Sequence, residues 1–359
     1  MIRCKICGKE GIIAERIGVC ALCIKENRNN IFDEIKKVHQ KSRKEFSLEP
    51  DVPKGKDITC KICANECSLE EGKSGFCGLR INERGKIVSI AGTPEKGVLE
   101  WYSDPLPTNC VASWVCEGSK HYGKKNLAVF YEACSFNCLF CQNWHFREMN
   151  TERIKKLGSE GRLTPAEELA NSVDYNTFCI CYFGGDPTVQ MPHALETSKI
   201  IRKNRKDIRI CFETNGSMNQ GSLKKAVTLC LESGGCIKFD LKAFDENLHY
   251  ALCGVSNKRT LENFEFVGSY ISKRRETPLL IASTLLVPGY ISEDEVFNIA
   301  SFIAKIDKTI PYSLLAFYPH FYMSDLPTTS RNHAMKAFTA AKNAGLERVH
   351  LGNIHLLTN

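Results

Sequence analysis

No uninterrupted apolar run in this sequence is long enough to span a bilayer, and the chain opens Met-Ile-Arg-Cys without the apolar stretch of a signal peptide. Membrane insertion and export are therefore not expected, and the expected location is cytoplasmic. No sign of charge dominates: 48 basic against 41 acidic residues leave a formal net charge of +7, spread along the chain. That balance offers no concentrated basic face for nucleic acid and describes an ordinary protein with a slight basic bias. No repeat of fixed period is visible beyond an alternation of strand and helix. A paired general acid and base is also missing. With 359 residues, 43% hydrophobic and 25% charged, there is enough apolar surface for one large α/β domain and a smaller module.

Cysteine is what the chain has in excess, at 19 residues. In a reducing cytoplasm clustered thiols point to metal rather than disulfides, and an anaerobic setting suits them. Residues 1–27 are expected to form a zinc-ribbon-like module. Residues 28–58 read as a helical linker in which Ile31, Ile35 and Val38 recur at helical spacing. Residues 59–125 form a cysteine-rich extension dominated by loops. From 126 to 359 the apolar runs 127–131, 178–183, 208–212, 236–241, 279–287 and 312–317 read as buried parallel strands. Helices are expected between them, one over 164–173 with Thr164 as N-cap and Pro165 at the first helical position, another near 331–344 closed by Gly345. Six such units make the fold class α/β: a partial (β/α)6 TIM-like barrel behind small cysteine-rich metal-binding modules. Its chemistry is expected at the C-terminal ends of the strands.

Cys134, Cys138 and Cys141 follow the first of these strands. Three thiolates at this spacing can hold three irons of a [4Fe–4S] cubane and leave the fourth for an outside ligand, whereas a structural cluster takes four cysteines. A zinc site completed by a distant residue is the competing reading. Later strand ends carry Gly184-Gly185-Asp186-Pro187, Glu213-Thr214-Asn215-Gly216 and Asp240-Leu241-Lys242. Glycine there lets backbone approach a ligand closely.

The cluster spacing, with Phe140 before its last cysteine, and these motifs on successive strands resemble the radical S-adenosylmethionine (radical SAM) superfamily. The stretch from Asp240 through Lys242 to His249, followed by Gly254-Val-Ser-Asn257, is similar to its activating-enzyme branch, the relatives of pyruvate formate-lyase activating enzyme. The segments around His320 and from Gly345 to Asn353 resemble the AmmeMemoRadiSam-type subgroup, expected to act with Memo-like proteins. The resemblance covers residues 60–355. It implies that the open iron takes the amino and carboxylate groups of S-adenosylmethionine, releasing a 5′-deoxyadenosyl radical. It places Phe140 by the adenine, Gly184, Gly185 and Asp186 at the amino group, and Lys242 at the carboxylate. Glu213 and Asp240 lie beside it around a monovalent cation, and His320 reaches the ribose or carboxylate. Asp186 stands where the superfamily has Glu, and Glu213 where the branch has Asp.

Cys4-x2-Cys7 and Cys20-x2-Cys23 pair as in a zinc ribbon. Cys60, Cys63, Cys67 and Cys77 supply another set of four, for zinc or for an auxiliary iron–sulfur cluster. Cys110 and Cys116 are unassigned, as ligands or as neighbours of the active site. Cys179, Cys181, Cys211 and Cys236 fall in strands and Cys230 and Cys253 in helices, where packing is their expected role. His249, His350 and His355 are read as structural.

The expected function is hydrogen abstraction from a protein or peptide, as post-translational modification or glycyl-radical activation, with ferredoxin or flavodoxin as reductant. The alternative is a cobalamin-dependent radical methyltransferase acting on a protein residue, as on methyl-coenzyme M reductase, although no separate Rossmann-like cobalamin domain is visible. A zinc-ribbon nucleic-acid-binding protein is the reading from another class.

Overall fold

A computed structural model describes residues 2–27, 31–108, 110–275 and 277–359; the opening of the expected linker, 28–30, lies outside the described residues. Two short helices precede the barrel, α1 (Ala21–Lys25) and α2 (Phe32–Lys44). The ribbon segment is not a tethered bead. Its Ile13, Ala14, Ile17, Val19 and Ile24 are buried in the same core as the barrel, each isoleucine or valine contributing about 1.5–3 kcal/mol. The Tyr290 hydroxyl accepts from the Ala14 amide at 3.0 Å and donates to the Val19 carbonyl at 3.3 Å. On α2, Ile35, His39, Ser42 and Arg43 are the buried positions, four, three and one residues apart along one face.

The apolar runs become one sheet whose strands lie in chain order: β1 (Leu99–Pro105), β2 (Lys125–Tyr131), β3 (Thr177–Gly184), β4 (Arg209–Thr214), β5 (Ile237–Asp240), β6 (Leu280–Leu286), β7 (Tyr312–Ala316) and β8 (Val349–Gly352). Strands β2 to β8 are parallel, and β1 runs antiparallel to β2 with Leu99 opposite Tyr131. β1 and β8 are the two edges, so the barrel is incomplete. The six expected strands are β2 to β7. The two extra ones lacked a hydrophobic run: β1 is a largely exposed edge of the sequence Leu-Glu-Trp-Tyr-Ser-Asp-Pro, and β8 is four half-buried residues.

Helices α3 (Thr151–Ser159), α4 (Ala166–Asn171), α5 (Met191–Asn204), α6 (Gln220–Ser233), α7 (Glu246–Cys253), α8 (Lys258–Gly268), α9 (Glu293–Ile306) and α10 (Arg331–Asn343) cover the outside. Asn219, Asp245, Ser292 and Ser330 cap helix starts by accepting from amides three residues on. The expected helix at 164–173 begins later than its sequence suggests. Thr164 and Pro165 pair with Lys96 and Gly97 in a short antiparallel ladder, so Pro165, not Thr164, is the N-cap of α4.

Because β1 is antiparallel, the chain between β1 and β2 emerges at the N-terminal end of the parallel strands. There it turns into the lumen as a plug. The Trp114 indole donates to the Ser313 hydroxyl at 2.9 Å, which donates to the Val111 carbonyl at 2.9 Å. Trp114 also stacks on His350 of β8, and Ala112 packs among Cys181, Cys211, Cys236 and Ile281. The plug therefore touches strands from β3 to β8.

Candidate active site

The loop after β2 carries the three cysteines and is held from several sides. The amides of Asn137 and Leu139 donate to the carbonyls of Cys253 and Leu252, at 2.8 and 2.9 Å. Those carbonyls belong to the last turn of α7, which has no intrahelical partner for them. From the other side Arg147 donates to the Cys138 carbonyl at 3.2 Å, and the Asn137 side chain donates to Ser42 of α2 at 2.8 Å. The amide of Tyr322 donates to the Leu139 carbonyl at 3.0 Å.

Gly184 and Gly185 end β3 beside this loop. A Cβ on Gly184 would lie 2.5 Å from the Tyr131 nitrogen, and one on Gly185 would lie 2.3 Å from the Ala133 oxygen. Gly184 also has φ +106°, a conformation that only glycine adopts at little cost. The close approach that demands glycine is thus to the backbone at the root of the cysteine loop, where Gly185 donates to Tyr131 at 2.7 Å.

Asp186, expected at the cofactor amino group, is buried and already occupied. Its carboxylate accepts from the Thr188 amide at 2.8 Å, the Thr214 hydroxyl at 3.0 Å and the Asn215 amide at 2.6 Å. It ties the end of β3 to the end of β4. Asn215 in turn donates to Ser135 at 2.9 Å and lies 3.6 Å from the Cys134 sulfur.

A cavity of about 360 Å³ opens here. Cys134, Cys138, Cys141, Phe140, Gly184, Gly185, Asp186, Glu213, Asp240 and Lys242 all line it, so ten of the residues singled out in the sequence meet at one place. Lys242 donates to Asp240 at 2.8 Å, and Ser283 to the other Asp240 oxygen at 2.7 Å. Burial works against both charges, but the pair outweighs it: Lys242 holds Asp240 below the usual carboxylate range, and Asp240, with the thiols of Cys138 and Cys253, holds Lys242 well above its ordinary value. The Lys242 ammonium stands 5.6 Å above the Phe140 ring.

Residues 128–303 match the family model of the Radical SAM superfamily. This is a radical SAM domain. Most of the chain is similar to an uncharacterized protein of Methanocaldococcus jannaschii, 25% identical over 312 residues that cover 83% of this chain and 81% of that one. A putative glycyl-radical enzyme activating enzyme of the same organism is 27% identical over 197 residues, 53% of this chain and 67% of its own. Pyruvate formate-lyase 1-activating enzyme of Escherichia coli is 23% identical over 172 residues, 46% and 63% respectively.

A radical SAM domain implies a [4Fe–4S] cluster and S-adenosylmethionine, and these residues fit both. Cys134, Cys138 and Cys141 line the cavity together with Gly184, Gly185 and the polar side chains of Asn143, Asp186, Asn215, Asp240 and Lys242. Lys242 and the buried Arg147 supply positive charge against an anionic cluster; both lower the Cys141 thiol, which burial otherwise raises. When bound, the cluster delivers one electron to the cofactor's sulfonium.

Four expectations about the radical SAM domain change. His320 does not line the cavity; it precedes a 3-10 turn, Phe321–Met323, whose role is to brace the cysteine loop through Tyr322. The cation beside Glu213 is the chain's own: Lys238 of β5 lies 3.1 Å from its carboxylate, where the resemblance implied a monovalent ion. His350, read as structural, lines the cavity against Trp114 and is lowered by burial. Cys253, read as packing, sits 3.6 Å from the Cys138 sulfur, and Cys138 is lowered to about 7 by that contact. The strand spacing could have revealed Lys238, since it lies two residues before Asp240 and so faces the same lumen. Cys253 and His350 are long-range contacts with no local signal.

The other thiol sets also converge. The sulfur atoms of Cys4, Cys7, Cys20 and Cys23 all lie within 4.8 Å of one another. Cys60, Cys63, Cys67 and Cys77 gather beside the barrel: after burial, it is Cys77, Cys67 and Cys60 that push the Cys63 thiol up.

Proposed function

We propose that this chain uses its radical SAM site to abstract a hydrogen atom from a segment of protein or peptide, as modification or as radical activation of a partner. The observation that carries this reading is the division of the cavity. One side holds the cysteines, the glycines and the Asp240–Lys242 pair. The plug and the last three strands with the residue after them contribute Cys110, Val111, Ser113, Trp114, Leu285, Leu315, His350, Gly352 and Asn353, none of them a carboxylate, lysine or arginine. A small charged metabolite would need a fixed counter-charge there, whereas a stretch of polypeptide needs only shape and a few polar contacts. The names of the two activating-enzyme relatives support the same class of substrate.

In this reading Lys242 meets the cofactor carboxylate, the strand end at Gly184 and Gly185 meets its amino group, and Phe140 packs by the adenine. Asp240 orients Lys242, and Asp186 is a positioning residue that holds the ends of β3 and β4 together. The ribbon thiols, close enough for one tetrahedral ion, bind zinc. The set from Cys60 to Cys77 binds a further metal centre, zinc or iron–sulfur. A ferredoxin- or flavodoxin-type protein supplies the electron.

The test is anaerobic reconstitution of the full chain, reduction in the presence of S-adenosylmethionine, and measurement of 5′-deoxyadenosine and of a mass or radical change on a candidate protein partner. Deoxyadenosine from the wild type and none from Cys138→Ala is the expected result. Formation of S-adenosylhomocysteine alongside it would replace hydrogen abstraction alone by methyl transfer.

A further inference from the structure

Five thiols converge on the floor of the cavity, below the cluster loop. Cys181 of β3, Cys211 of β4 and Cys236 just before β5 face the lumen, and the plug brings Cys110 and Cys116 up against them. The sulfurs of Cys211 and Cys236 are 3.9 Å apart, the same separation as Cys7 and Cys20 in the ribbon. That is close to the edge of a tetrahedron whose metal–sulfur bonds are about 2.3 Å. Between Cys110 and Cys181 sits the Lys238 ammonium, 2.9 Å from one sulfur and 3.0 Å from the other. Its side chain is 1% exposed, and its third partner is Glu213.

Packing alone does not account for this arrangement. A barrel floor is ordinarily filled by branched aliphatic side chains. A buried ammonium held on neutral thiols is a costly way to occupy the same space, because sulfur in a thiol is a weak acceptor. Glu213 meets one side of this ammonium, and an anionic thiolate centre matches the two sulfurs on its other side.

We propose that Cys110, Cys116, Cys181, Cys211 and Cys236, with Lys238 as counter-charge, form a second thiolate site that binds an iron–sulfur cluster at the floor of the cavity. Four of the five sulfurs complete such a centre. Among the described residues only the ribbon thiols crowd as a single ion requires. The floor thiols spread more widely, as Cys134, Cys138 and Cys141 also do, which suits a polynuclear centre. Cys110 lines the cavity, so the centre borders the space where a substrate is held.

The test uses the full chain, reconstituted anaerobically with iron and sulfide. Cys134, Cys138 and Cys141 are replaced by alanine to remove the radical SAM cluster, and iron, acid-labile sulfide and zinc are counted with and without Cys211→Ala and Cys236→Ala. The expected result is a further loss on the order of two to four irons per chain, the content of a [2Fe–2S] or [4Fe–4S] centre. The zinc content and circular dichroism stay as they were. Cys110→Ala, on a loop and partly exposed, provides a second variant that leaves every strand intact, and it changes the electron paramagnetic resonance of the reduced residual cluster. Unchanged iron and spectrum across these variants, or zinc lost in place of iron, would overturn the proposal. Iron is counted without any cleavage of S-adenosylmethionine, so this outcome is independent of the proposed hydrogen abstraction.

Discussion

Replacing Asp186 by alanine separates two roles that one carboxylate could have. The structure shows it accepting from two backbone amides and one hydroxyl at the junction of β3 and β4. Removal leaves the amides of Thr188 and Asn215 buried without acceptors, at about 1–3 kcal/mol each, while the Thr214 hydroxyl can turn to Thr188. Against that stands relief from burying the carboxylate, whose pKa is raised by that burial in spite of its donors. The net loss should therefore fall in the lower half of that range, about 3 kcal/mol in all. Asp186→Asn keeps one acceptor oxygen but turns an N–H toward a donor, and should cost about 1–2 kcal/mol. The assay is urea unfolding of the anaerobically purified protein, with iron per chain measured on the same samples. Cluster occupancy should fall in parallel, since Asn215 is held by Asp186 and reaches Ser135 and Cys134. A variant within about 0.5 kcal/mol of the wild type, fully loaded with iron but with a raised KM for S-adenosylmethionine, would refute the positioning role and return Asp186 to the cofactor's amino group.

Glu132, next to the cysteine loop, is raised from 4.5 to about 7 by burial and then by Glu100, and one of its oxygens has no partner. A folded value above the unfolded one means that its contribution is full below pH 4.5 and is lost as pH rises through about 7. Glu132→Gln should accordingly raise Tm at pH 8 and leave it unchanged at pH 4, and a Tm difference equal at both pH values would contradict this. Gly185→Ala drives a methyl into the Ala133 carbonyl and should cost about 1–3 kcal/mol together with most of the cluster iron; full iron loading would show that the loop can yield. Tyr290→Phe strands the Ala14 amide, so zinc bound as proposed at Cys4, Cys7, Cys20 and Cys23 should pass to a chromophoric chelator several-fold faster. An unchanged rate would mean that docking on the barrel does not stabilise the ribbon.

Much of the site could be read from the sequence because its signals are local. Cys134, Cys138 and Cys141 lie within one loop, and each strand-end motif directly follows an apolar run, so order along the chain became order around the barrel. The three cysteines, Gly184, Gly185, Asp186, Glu213, Asp240 and Lys242 reach the cavity, and His320 does not. That residue follows β7 as expected, but the chain turns before its ring can enter, and the aromatic residues behind it are spent on bracing the cysteine loop. Lys238 was hidden by the apolar run around it, although alternation along β5 placed it with Asp240. The plug was invisible for a different reason. Nothing in the order of residues 106–124 says which end of a barrel they will reach; the antiparallel course of β1 decides that, and β1 has no hydrophobic run to announce it.

That plug has a consequence for traffic. A vessel shut at the bottom fills and empties through its mouth, so whatever lies deepest must arrive first and leave last. Trp114 on Ser313 and His350 seals the floor, and the cysteine loop stands at the rim. The order in which reactants come and go would then be dictated by depth, with no moving gate required. Replacing Trp114 by a small residue would open a back door, and the first thing to escape through it would be order itself.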